Sequence, residues 1–127
     1  MRLLELHIEV SDLERSLAFY RALLPHHQVT TWADGSAAAI VFEDGSALGL
    51  WKLGKRGLYD GRGAAHLHFA FKIEAGKYNV FRQRLVALGC EPIDHVWPNG
   101  ERSIYSFDPD GHHVEFMTVD WIRGVRD

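Results

Sequence analysis

Apolar and polar positions alternate from Leu3 to Val10, with Leu4, Leu6, Ile8 and Val10 on one side and Glu5, His7 and Glu9 on the other. Period two predicts a strand that turns one face to a core and a polar row to the opposite face. The period then changes. Ser11-Asp12-Leu13-Glu14 fits a capping box, and Leu13, Leu17, Tyr20 and Leu24 form one helical stripe that Pro25 ends. Three strands follow, Gln28 to Trp32, Ala37 to Glu43 and Ala47 to Leu53, divided by the hairpin signals Asp34-Gly35 and Asp44-Gly45. Gly54 to Gly63 is a loop rich in Gly, Lys and Arg.

The second half repeats the order. His66 to Ile73 alternates as a strand; Tyr78, Phe81, Leu85 and Leu88 make a helical stripe closed by Gly89; Glu91 to Trp97, Ser103 to Phe107 and His113 to Val119 predict three strands. A shift of 63 residues lays Val10 on Ile73, in a chain of 127. Halves of about 60 residues rarely bury enough surface alone. The expectation is therefore an α+β fold in one domain, with two β-α-β-β-β modules, about 1–54 and 64–121, joined into one curved mixed sheet with the helices outside.

Composition narrows the function classes. A chain that is 46% hydrophobic and 24% charged is globular rather than disordered. A net charge of -3 leaves no footprint for nucleic acid. Cys90 is the single cysteine and has no partner for an internal disulfide. No apolar run approaches the roughly eighteen residues of a membrane span, and Met1-Arg2-Leu3-Leu4-Glu5 is charged too early for a signal peptide. A cytoplasmic protein is expected. Eight histidines are the one excess.

Three segments carry a family likeness: EVSDLERSLAFY at 9–20, HFAFKI at 68–73 and YSFDPDGHHVEF at 105–116. Together they resemble the vicinal oxygen chelate superfamily, which holds glyoxalase I, bleomycin-resistance proteins, extradiol dioxygenases and fosfomycin-resistance thiol transferases. The resemblance covers essentially the whole chain. It implies a duplicated β-α-β-β-β fold, a homodimer, and one divalent metal in a cup of strands that binds a small-molecule substrate through neighbouring oxygens. Position by position, the family's ligands fall on His68, Glu115 and Glu5. The last is a departure from the usual histidine or glutamine. The fourth position, a glutamate in glyoxalase I, falls on Gly49, which disfavours a full glyoxalase I ligand set.

Judged by chemistry alone, Glu5, His68 and Glu115 offer two carboxylates and one imidazole, a set that suits Mn, Fe, Co, Ni or Zn with positions left open. The bland reading keeps Glu5 on an exposed strand and His68 as a hydrogen-bonded core residue. His7 has three readings: a ligand in place of Glu5, a base or supporting donor beside the metal, or a pocket wall. The second is favoured, because Glu5 and His7 are about 6.6 Å apart along a strand. His66 and His113 read as pocket wall, His26 and His27 as a solvated loop, and His95 and His112 have no assigned role.

The likeness to fosfomycin transferases adds Tyr105 as a catalytic candidate and Ser103 and Trp32 as substrate-binding candidates. The phosphonate-binding arginine falls on Gly124, one residue beyond Arg123, and the potassium loop of those enzymes is not recognisable in Asn99-Gly100-Glu101-Arg102. Trp32, Trp51 and Trp97 together suggest an aromatic-walled cavity. Three functions compete: a metal-dependent lyase, isomerase or group-transfer enzyme acting on a small oxygenated molecule; a sequestering protein of the bleomycin-resistance type; and an extradiol-type dioxygenase. His68 with Glu115 favours the first.

Overall fold

In the computed structural model, residues 3–54 and 68–119 are described, His68 by its backbone alone. The predicted alternation becomes strand β1, Glu5–Val10, and the first helix, α1, runs Leu13–Leu23. Strands β2 (Gln28–Trp32), β3 (Ala37–Val41) and β4 (Ala47–Lys52) complete the first half. The second half carries β5 (His68–Lys72), a 3-10 turn at Ala75–Lys77, α2 (Tyr78–Ala87), β6 (Ile93–Val96), β7 (Arg102–Phe107) and β8 (His113–Met117). The fold is α+β, and the β-α-β-β-β order occurs twice. The chain divides into two compact units, Met1–Ala64 and Ala65–Asp127.

Each unit builds one four-stranded mixed sheet, in the order β1-β4-β3-β2 and β5-β8-β7-β6. The first strand runs parallel to the last, and the other pairs are antiparallel. In unit 1, Ile8, Val10, Ile40, Leu48 and Leu50 are buried, and α1 packs on β3 and β4. In unit 2, α2 packs on β7, and Phe81 of α2 stacks on Phe116 with ring centroids 5.1 Å apart.

Two local predictions shift. Asp12, not Ser11, caps α1, accepting from the Arg15 backbone N–H at 3.0 Å. Leu13, Tyr20 and Leu24 of the predicted stripe are buried, joined by Ser16, Phe19 and Leu23, and Leu17 is only half-buried. A small serine at position 16 lets the helix lie close to the sheet, which pure apolar counting overlooks. Leu24 is extended, as a residue before proline prefers. The four-residue β2–β3 turn holds Ala33 and Asp34 at φ of 53° and 52°, followed by Gly35 at 77°, all in the left-handed region.

In unit 2, Tyr78 of α2 donates to Asp94 Oδ1 at 2.6 Å and to the Ser103 carbonyl at 3.1 Å, tying helix to sheet. Burial, then the Asp94 hydrogen bond, pushes the Tyr78 phenol up to about 12. The closing motif folds around Asp108, whose Oδ1 accepts from the backbone N–H of Asp110 and of His112 at 3.0 and 2.8 Å. Asp108 Oδ2 meets His112 Nδ1 at 2.7 Å, and its side chain is fully covered. That ion pair raises the His112 pKa above its ordinary value, with burial opposing it.

Candidate functional site

The polar row of β1 meets small residues across the first sheet. Glu5 pairs with Ala47; His7 with Gly49, which faces Ala39; Glu9 with Trp51, then Ala37 and Trp32. Paired residues project from the same face, so Glu5, His7, Trp51 and Trp32 share one side of the sheet. The alanine between the two tryptophans lets their rings lean together, and their centroids lie 5.4 Å apart in a T-shaped contact. His7 joins them, 6.2 Å from Trp32 and 6.3 Å from Trp51.

The His7 ring lies where a side chain at position 49 would begin. A Cβ built on Gly49 would come 2.3 Å from His7 Nδ1. Trp51 donates its indole N–H to His7 Nδ1 at 2.8 Å, and His7 Nε2 stands 3.2 Å from Glu5 Oε2. An indole nitrogen only donates, so Nδ1 is an acceptor and the neutral ring carries its proton on Nε2, the nitrogen nearer Glu5. A histidine that binds metal through Nε2 makes the opposite pattern, with Nδ1–H given to an acceptor.

The second sheet carries a matching row. Glu115 of β8 pairs with Tyr105 of β7 and Ala70 of β5. Glu115 is 3% exposed, and its Oε1 is buried with no hydrogen bond of its own among the described residues, while the carboxylate takes the Tyr105 hydroxyl. A buried carboxylate of this kind suits a cation ligand. Burial first, then the charge of Glu115, pushes the Tyr105 phenol above its ordinary value, and a hydrogen bond from Ser103 pulls it back. Ser103 is fully buried, and its Oγ accepts the Trp97 indole N–H at 2.8 Å. His113 lies against Tyr105 and Phe107, with centroids 5.3 and 5.0 Å away, and His95 meets Trp97 edge-on at 4.6 Å.

The sequence candidates thus fall into two groups. Glu5, His7 and Trp32 come together in unit 1, and Ser103, Tyr105 and Glu115 in unit 2. His68 opens β5 opposite His113 in register; its side chain, His66 and Arg123 lie outside the described residues. Among the described residues, no three His, Cys, Asp or Glu side chains gather to hold a metal ion. Trp51 and Trp97 enter as hydrogen-bond donors, a role that reading them as cavity walls missed. Sequence spacing does not supply that role, since the Trp51 bond spans 44 residues and depends on the register of β1 with β4. No helix among the described residues is long and apolar enough to cross a membrane.

A model of the Glyoxalase/Bleomycin resistance protein/Dioxygenase superfamily matches residues 2–116. No curated protein sequence matches the chain. Among solved structures, the lactoylglutathione lyase from Agrobacterium tumefaciens is similar, with a TM-score of 0.75 and 23% identity over 91% of this chain and 92% of that one. A variant of the fosfomycin resistance protein FosX from Listeria monocytogenes, complexed with Mn(II) and 1S,2S-dihydroxypropylphosphonic acid, superposes with a TM-score of 0.74. It shares 19% identity over 98% of this chain and 94% of its own. A glyoxalase/dioxygenase from Nostoc punctiforme gives 0.72 and 21%, covering 91% and 89%. At these identities the structural likenesses establish the fold.

Proposed function

Because the chain belongs to the glyoxalase/bleomycin resistance protein/dioxygenase superfamily, we propose that it is a metal-dependent enzyme acting on a small oxygenated molecule by lyase, isomerase or group-transfer chemistry. The observation that carries this is the buried Glu115 carboxylate, held by Tyr105 on the polar row of the second sheet. Glu5, His68 and Glu115 would hold the divalent ion, Mn, Fe, Co, Ni or Zn, their two carboxylates balancing its charge. When bound, such an ion supplies Lewis-acid activation of a substrate oxygen.

The chain's own groups have separate duties in this reading. His7 faces Glu5 through Nε2, 3.2 Å from Oε2, and is placed to orient that carboxylate. Tyr105 holds Glu115 through its hydroxyl and is the catalytic candidate nearest to it. Ser103, Trp32 and Arg123 are the substrate-binding candidates. Two relatives support the class: the Listeria protein was solved with Mn(II) and a phosphonic acid, and the Agrobacterium protein is a lyase by name. A homodimer in the cytoplasm belongs to the same proposal.

A second reading, sequestration of a small molecule without metal, draws on the His7, Trp32 and Trp51 rings, an aromatic surface suited to stacking. Elemental analysis of protein prepared under metal-replete conditions separates the two. Wild type should carry a transition metal, and His68→Ala and Glu115→Ala should lose most of it. Equally low metal in all three would reject the enzyme reading.

A further inference from the structure

We infer that Trp51 and Trp97 are positioning residues, each heading a chain of polar contacts that leads to a site carboxylate. In unit 1 the chain runs from the Trp51 indole to His7 Nδ1 at 2.8 Å, and from His7 Nε2 to Glu5 Oε2 at 3.2 Å. In unit 2 it runs from the Trp97 indole to Ser103 Oγ at 2.8 Å, then through the Tyr105 hydroxyl to Glu115. The inference deepens the proposed metal site and, in its metal arm, rests on it.

The direction of each chain is forced at its head. An indole N–H donates and cannot accept, so its partner must present a lone pair. For His7 this puts the proton on Nε2, the nitrogen 3.2 Å from Glu5 Oε2. The ring is thereby held out of the ligand set and used to orient a ligand. For Ser103, a lone pair given to Trp97 leaves the hydroxyl proton for the Tyr105 oxygen, whose own proton goes to Glu115. Donors run toward a carboxylate in both halves, although the intermediate groups differ: one imidazole in the first, a hydroxyl and a phenol in the second.

Packing supports the arrangement in unit 1. Gly49 lies beneath the His7 ring, and any Cβ there would meet Nδ1 at 2.3 Å, so the ring is accommodated only by a missing side chain. In unit 2, Ser103 is fully buried and Tyr105 half-buried, so the chain runs through groups for which a lost partner is costly.

Phenylalanine at 51 and 97 keeps an aromatic ring and removes the N–H. Nitrogen-15 spectra of the histidine rings in metal-free protein, at mildly alkaline pH, read the His7 tautomer directly. Wild type should carry the proton on Nε2, and Trp51→Phe should release it to a mixture. Calorimetric titration with Mn2+ forms the second arm. Trp51→Phe and Trp97→Phe should each weaken binding about tenfold, the low end for groups that support a ligand. Tyr105→Phe should weaken it as much as Trp97→Phe, and the Trp97→Phe/Tyr105→Phe double variant no further, because both cut one chain. Should Trp97→Phe fail to fold, Tyr105→Phe carries that arm.

A wild-type tautomer with the proton on Nδ1, or one unmoved by Trp51→Phe, overturns the inference whether or not metal binds. Mn2+ binding by wild type with unchanged affinity in Trp51→Phe and Trp97→Phe also overturns it and leaves the metal site standing. Absence of Mn2+ binding by wild type, together with low metal in the elemental analysis, instead removes the proposed function and the metal arm, and the tautomer then decides the inference.

Discussion

Replacing Gly49 by alanine tests the packing of His7 with a sign as well as a size. The added Cβ would lie 2.3 Å from His7 Nδ1, 2.5 Å from Cε1 and 2.8 Å from Cγ, where ordinary contact begins near 3.4 Å. The ring must retreat by about 1 Å, and the 2.8 Å bond from Trp51 cannot follow. Losing that bond costs about 1 kcal/mol. The neighbouring contact with Glu5 adds under about 1 kcal/mol, because Glu5 is 59% exposed. Forcing a methyl into the space costs about 1–3 kcal/mol. Alanine in a strand returns about 0.5–1 kcal/mol relative to glycine. The net is a destabilisation of about 2 kcal/mol.

In a His7→Ala background the obstacle is gone, and the same Gly49→Ala change should stabilise by about 0.5 kcal/mol. Urea unfolding midpoints of the four proteins in this cycle give the coupling between positions 7 and 49. Equal effects of Gly49→Ala in both backgrounds, or a gain in stability with His7 present, would refute the argument.

Two further expectations concern turns. Ala33 occupies a left-handed position at φ 53°, so Ala33→Asn should raise the thermal midpoint, by an amount corresponding to about 0.5–1 kcal/mol; an unchanged or lower midpoint would contradict it. Asp108 raises the His112 pKa in the folded protein above its ordinary 6.5, so the stabilisation from this pair is complete below that value and is lost as pH rises through the folded one. Urea midpoints measured across this range should fall less steeply with pH in His112→Gln than in wild type, and parallel curves would reject the assignment.

The repeated fold was legible because it depends on pattern. Alternation in Leu4 to Val10 and the turn signals at Asp34-Gly35 and Asp44-Gly45 are local, and local signals survive into the structure. The buried face of α1 is wider than its predicted stripe because Ser16 looks polar in sequence and small in space. Among the candidate site residues, the shared faces of Glu5 with His7 and of Tyr105 with Glu115 follow from motif position and strand parity. The link from Trp51 to His7 could not, since it joins positions 44 residues apart and depends on the parallel register of β1 with β4. Gly49 drew notice as a missing ligand, whereas its physical role is to make room for an imidazole.

That parallel register also sets an order of assembly. Strands β2, β3 and β4 follow one another through short turns, and such pairings close early because little chain entropy is lost in forming them. The ladder between β1 and β4 must wait for the intervening helix and hairpins, since it joins Glu5 to Ala47. The strand bearing Glu5 and His7 is therefore expected to dock last in its sheet. Its docking brings the His7 ring to the Trp51 indole, so quenching or exchange of that indole would report closure of the β1–β4 ladder.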